Sequence, residues 1–302
     1  KAAALYAELL AVGRNNQLQL ASAQSAISGC KGNYNSYPLH SIIRLGKNWD
    51  QRRDTLLSMK EEKLRTAYDF VMDPCRLLDH KKSTCSEDIF ETKEGDWCCV
   101  RFETIQFPGV QSLEQVFDAV MSYFNNTELL ISEKPGNFAM RDDYECLEGG
   151  IKNSRLIATN GTGTTTDSSA VVFSQMIDGN DRFGGKPIGI VAIDAVDEDE
   201  LFPRLPTERV RQDGAGAIVL SATRTIGNDP DPAQDDNPTS SHSNISEGIY
   251  GTTVTMRRAD FTKLYHPEFP LTVEAQYELH DRFTRSGEFM RKEIRRMVYH
   301  QN

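Results

Sequence analysis

The chain has 302 residues, 38% apolar and 26% charged, a mix able to bury a sizeable core and far from a disordered or collagen-like composition. Lys and Arg number 34 against 44 Asp and Glu, a formal charge of −10 that argues against any nucleic-acid partner held by phosphate neutralisation. The richest apolar runs, Ile188–Val196 and Ala215–Ala222, are of strand length, so no transmembrane segment is expected: a crossing helix needs roughly 18–20 such residues.

Residues 1–30 form the first segment. Positions 2–27 are rich in Ala, Leu and Gln, and Leu5, Leu9 and Val12 follow a 4–3 spacing that then meets Gly13, Asn16 and Gln19. The pattern predicts a helix, either packed loosely on the body or forming the tail of a coiled coil and a route to self-association. Residues 31–82 read as a linker plus an amphipathic helix. Ser28–Tyr37 is a Gly/Ser/Asn break, and Asn48 with Gln51 three residues on is an N-cap. Leu56, Leu57, Leu64, Ala67, Tyr68 and Val71 trace the apolar face, Arg52, Arg53, Glu61, Glu62 and Lys63 a solvated one, and Pro74 is expected to end the helix.

From Ser83 to the end the periodicity becomes that of strands, and residues 83–302 are the main domain. Trp97–Ile105 alternates, Phe107–Val110 reads as a turn, and Ser112 with Gln115 opens a helix that carries Val116, Phe117, Val120, Met121 and Phe124 on one face. Strand-like runs follow at Phe138–Tyr144, Ser154–Thr159, Ser169–Ile177, Pro187–Asp194, Gly216–Thr225 and Thr252–Ala259, with a hairpin turn at Asn160–Gly161. Two insertions interrupt them: the acidic run Asp194–Glu200, and residues 228–248, read as a flexible loop rich in Asp, Pro, Ser and Asn. Thr272 caps a last, long helix with Phe283, Gly287, Met290, Ile294 and Met297 on one face. Gly287 costs such a helix about 1 kcal/mol against Ala, so close approach to a sheet is a reason for it. A curved antiparallel sheet with one amphipathic helix laid across it buries both apolar faces and tends to leave a cavity between them, an α+β helix-grip.

The six cysteines contain no C-x-x-C pair and read as reduced, structural thiols. No basic stretch leads into an apolar one at the start, so no secretory signal is read and the expected location is intracellular, cytoplasmic or nuclear. The sequons at Asn125, Asn160 and Asn244 then count as chance matches.

Several phrases carry a family resemblance. Glu103–Leu113 (ETIQFPGVQSL), Leu129–Asp143 (LLISEKPGNFAMRDD), Gly189–Val210 (GIVAIDAVDEDELFPRLPTERV) and Gly216–Arg224 (GAIVLSATR), with Tyr37–Tyr68 ahead of them, resemble the large oomycete, Phytophthora-type family of START-like domain proteins. The resemblance spans roughly residues 37–302. It implies a START-like domain, often preceded by a coiled-coil or bZIP-like region, that holds a lipid or other apolar molecule between sheet and helix.

The catalytic inventory is thin. There is no G-x-S-x-G elbow, H-E-x-x-H or Walker loop, and no His pair sits at metal spacing, so no catalytic residue, metal or cofactor is named. The acidic run lacks EF-hand spacing and reads as a solvated loop, and His280 as a core or boundary residue. Arg101, Glu103, Arg155, Arg224 and Arg258 lie on strands, where polar residues ordinarily alternate outward or else present a charge to a cavity. The residues expected to line the cavity are Phe117, Met121, Phe124, Arg155, Phe173, Met290, Ile294 and Met297.

The function expected is non-enzymatic binding of a lipid or apolar small molecule, as a sensor or regulatory module. The alternatives are a protein-interaction or dimerisation domain of a longer, transcription-related protein with a filled core, and a small-molecule enzyme using the same cavity.

Overall fold

The computed structural model describes residues 39–75, 83–147, 149–179, 183, 185–225 and 251–300. The expected helix at 2–27, the break at 28–37 and the insertion at 228–248 lie outside the described residues. The elements run β1 (Arg44–Leu45), α1 (Trp49–Cys75), β2 (Thr84–Glu91), β3 (Trp97–Val110), α2 (Leu113–Asn125), α3 (Thr127–Ser132), β4 (Phe138–Leu147), β5 (Ile151–Thr159), β6 (Thr165–Ile177), β7 (Ile188–Ala195), β8 (Glu198–Asp199), β9 (Val210–Thr225), β10 (Gly251–Leu264) and α4 (Val273–Tyr299).

The helix starts follow from local side chains that take up orphan backbone N–H groups. Asn48 Oδ1 accepts from Gln51 N at 3.0 Å, Ser112 Oγ from Gln115 N at 3.2 Å, and Thr272 Oγ1 from Ala275 N at 3.2 Å. Pro74 does not stop α1, which runs through it to Cys75.

Eight strands form one curved sheet in the order β2–β3–β10–β9–β7–β6–β5–β4, with antiparallel neighbours throughout. Phe107–Val110 is not a turn: β3 continues through it, with Phe107 opposite Val254 and Pro108 opposite Thr253. β2 pairs with β3 only as far as Thr104, so beyond that point β3 is an edge strand. There a proline without an N–H is tolerated, and burial of Phe107 and Val110 favours the extended form. The expected hairpin at Asn160 forms, with Asn160 Oδ1 accepting from Thr164 N at 2.8 Å.

The sheet is covered on both faces. On β9, Ala215, Ala217 and Val219 point to one face, where they pack with Leu56, Leu64, Ala67 and Val71 of α1 and with Phe173, Ile190 and Phe261. Ile218 and Leu220 point to the other, where α2 and α4 enclose a second core of Ile105, Phe107, Val116, Met256, Ile294 and Val298. Strand alternation thus yields two cores from one sheet.

The face of α1 read as solvated contains two buried cations. Arg52 is 1% exposed and Lys63 6% exposed. Their partners come from the acidic run, which is therefore no solvated loop: Arg52 forks onto Asp199 at 2.8 and 2.9 Å, and Lys63 binds Asp194 and the carbonyl of Leu39. His40 completes the joint, with Nδ1 2.6 Å from Asp194 and Nε2 3.1 Å from Asp197. Those two carboxylates also accept from the backbone N–H groups of Ser41 and Ile43, and β1 pairs parallel with β8. Hydrogen bonding to Asp194, then Asp197, raises His40 to about 10 against the pull of burial. The run holds α1 to the sheet, and no group of metal-ligating side chains is found among the described residues.

Candidate functional site: the cavity between sheet and last helix

Alternate residues of β5, β9 and β10 face α4, and the short ones among them leave room. Gly214 and Gly216 of β9, Ser154 of β5 and Ser168 and Ala170 of β6 present little bulk. Above them stand Tyr123, Phe124 and Thr127 at the end of α2, together with Ser286, Gly287 and Met290 of α4. The result is a mainly apolar cavity of about 270 Å³. It adjoins a second space of about 310 Å³ that opens past α3 and the first half of α4. The two share Tyr123, Thr127, Leu156, Ser168, Gln212 and Ser286, a polar waist between an apolar inner section and a charged outer one. A larger cleft of about 470 Å³ lies beside Trp97, between residues 265–271 and the first turns of α4 at Gln276 and Leu279.

One wall of the inner section is an ion network. Arg101 binds Glu87 and Asp260, the latter at 3.0 Å. Arg258 lies 2.9 Å from Glu103 and 3.4 Å from Asp260, and Arg291 of α4 reaches Glu103 at 2.7 Å. Burial opposes the charge of Arg101, but Asp260 and Glu87 outweigh it and its pKa sits above the ordinary arginine value. Arg258 also donates to Met290 Sδ at 2.7 Å and to the Gly287 carbonyl at 3.3 Å. Gly287 is thus where α4 meets the arginine pair: a Cβ there would stand 2.5 Å from Arg101 Nε. Close approach is the reason for this glycine. Burial pushes the Tyr123 phenol up to about 12, so it is a neutral donor at the waist at physiological pH.

Of the residues expected to line the cavity, Phe124 and Met290 border it. Phe117, Met121, Ile294 and Met297 pack in the core enclosed by α2 and α4. The C-terminal part of α4 packs on α2, and the space opens nearer the middle of the helix. Phe173 lies in the core beneath α1, on the opposite face of the sheet. Arg155 shares the strand face of Ile151 and pairs with Asp167. Strand alternation alone does not fix which set of residues faces α4, and a one-residue slip exchanges the faces. Arg101 and Arg258 do reach the cavity, whereas Arg224 is exposed. His280, expected as a core or boundary residue, is exposed, its ring set edge-on to Trp97 with centroids 4.4 Å apart. Tyr123, Gln212, Asp260 and Arg282 carried no motif. The signal that pointed their way was the pair Gly214 and Gly216 within a strand run, a mark of close approach or open space.

An eight-stranded curved antiparallel sheet gripped by a long C-terminal helix defines the class: this is an α+β helix-grip fold. Among solved structures the chain is similar to human STARD10 at 8% identity and a TM-score of 0.39, over 78% of this chain and 80% of that one. It is similar to Ara h 8.0201 at 14% identity and a TM-score of 0.27, over 65% and 97% of the two chains. A third is the di-domain ARO/CYC BexL from the BE-7585A biosynthetic pathway, at 10% identity and a TM-score of 0.31, over 82% and 62%. No family model and no curated protein matches the sequence. No helix among the described residues is long and apolar enough to cross a membrane.

Proposed function

We propose that this protein binds a lipid or other apolar small molecule, without chemical conversion, in the cavity between α4 and the sheet. The observation that carries the reading is the mainly apolar inner section of about 270 Å³ joined through the Tyr123–Gln212 waist to an outer opening. Burial of a ligand's apolar surface there contributes about 25 cal/mol per Å², and the waist supplies the few polar groups that fix orientation. An interaction domain with a filled core fits this open space less well. For an enzyme, the acids that line the cavity, Asp213 and Asp260, are both clasped by arginines rather than free to exchange protons. We extend the reading to a sensor or regulatory module of the oomycete START-like family, intracellular and self-associating through the N-terminal helix. Support for that extension is the set of family-like phrases.

Native mass spectrometry of the purified chain, compared with its denatured mass, tests the binding. A discrete extra mass that is lost on denaturation and extracts into organic solvent is expected. Met290→Trp, which fills the inner section, should abolish it in a folded protein. Equal ligand uptake by that variant would refute the assignment of the cavity.

A further inference from the structure

The outer section holds a cation that no carboxylate of the described residues pairs with directly. Arg282, on α4, lies in its wall one turn before Ser286. Its Nη1 is removed from solvent and has no hydrogen-bond partner among the described residues. The acid one turn back, Glu278, is held elsewhere: its two oxygens accept from the backbone N–H groups of Gly161 and Thr162, each at 3.0 Å. The other acid of this wall, Asp281, pairs with Arg285 at 3.0 Å. Lys134, across the opening, rests over the Phe289 ring at 4.3 Å. A chain with a formal charge of −10 therefore keeps a local excess of cations around this opening. Burial weakens the hold of Arg282 on its proton, Glu278 only partly opposing, which marks a charge left short of solvation.

A guanidinium nitrogen removed from solvent with no hydrogen-bond partner is costly unless an anion meets it. Its planar fork matches a carboxylate or phosphate. Resting on the apolar-ligand reading above, we propose that the ligand is an amphiphile with an anionic oxyacid head. Arg282 receives the head in the outer section, and the apolar tail passes the Tyr123–Gln212 waist to lie against Ile193, Ile218 and Met290.

Calorimetric titration with dodecanoate and dodecyl phosphate, both below their micelle concentrations, and with 1-dodecanol below its solubility limit tests this on the full chain. Wild type should bind at least one of the anions about tenfold or more tighter than the alcohol, as a charge-assisted pair implies, and the tighter of the two names the head. Arg282→Gln should bind dodecanol as wild type does and lose the preference for the anion. Arg282→Lys, which keeps the charge but not the fork, should retain part of it. Equal binding of acid and alcohol by wild type, or an undiminished preference in Arg282→Gln with an unchanged melting temperature, overturns the anionic head and leaves the cavity reading standing. Binding of none of the three probes overturns both.

Discussion

Replacing Gly287 by Ala separates an intrinsic helix effect from a tertiary one, because the two have opposite signs. In an unencumbered helix interior the change stabilises by about 1 kcal/mol. Here the new methyl would stand 2.5 Å from Arg101 Nε and closer still to the rest of the guanidinium. Arg101 cannot simply swing aside, since it is 3% exposed and held by Glu87 and Asp260. Overpacking of this kind costs about 1–3 kcal/mol, and separating a buried charge from its partners adds up to about 3–5 kcal/mol. The net expectation is destabilisation by about 2–3 kcal/mol, or about 3–5 °C in Tm for a chain of this size. Urea unfolding followed by circular dichroism measures it. The mechanism is checked in an Arg101→Ala background, where the obstacle is gone and Gly287→Ala should be neutral or stabilising, a coupling of about 2 kcal/mol or more in the double-mutant cycle. A Gly287→Ala protein as stable as wild type, or additivity in the cycle, would refute the claim that α4 is seated on the arginine pair.

Two further predictions concern the joint that holds α1. Asp194→Asn should destabilise by about 3 kcal/mol, because it leaves the buried Lys63 and one nitrogen of His40 facing an amide; a loss below about 1 kcal/mol in urea unfolding would mean that the joint is solvated. His40 also sets a pH dependence. Its raised folded pKa, about 10 against 6.5, means that its contribution is complete below pH 6.5 and drains away as pH rises towards 10. Asp197, whose pKa is lowered by His40 and the Ile43 N–H in spite of burial, contributes above its ordinary 3.8, and that part is lost as pH falls. The stability difference between wild type and His40→Gln should therefore shrink steadily between pH 7 and 10, and a constant difference across that window would count against the paired imidazolium.

What the sequence disclosed was what neighbours in sequence decide. The caps at Asn48, Ser112 and Thr272 and the turn at Asn160 are satisfied within four residues, so their residue types announce them. The order of strand runs followed by a long amphipathic helix was enough for the helix-grip and for a cavity under α4. What distant contacts decide stayed hidden. Arg52 and Lys63 sit on a face that local spacing marks as solvated, and only Asp199 and Asp194, 147 and 131 residues away, make their burial tolerable. Phe107–Pro108–Gly109–Val110 has turn composition, and pairing with β10 overrides it. Within the site, periodicity marked α2 and α4 as the enclosing helices, but not where along them the packing opens. That depends on small residues of β6 and β9 facing the middle of α4.

The two cores also explain how the fold tolerates a hollow. An empty cavity costs about 24 cal/mol per Å³, and at about 270 Å³ the inner section alone would cost about 6 kcal/mol, comparable with the whole net stability of a domain. A single layer of helix on sheet would be hard pressed to carry that deficit. Here α1 docks on the opposite face through Leu56, Leu64, Ala67 and Val71 and is fixed by the Arg52–Asp199 and Lys63–Asp194 pairs. The sheet is therefore fully packed on one side, and small residues on the other can be spent on volume. On the proposed function, an apolar molecule fills the inner section and offsets the cost of the hollow. Ligand occupancy and global stability are then linked, because whatever fills the inner section binds the folded chain and not the unfolded one.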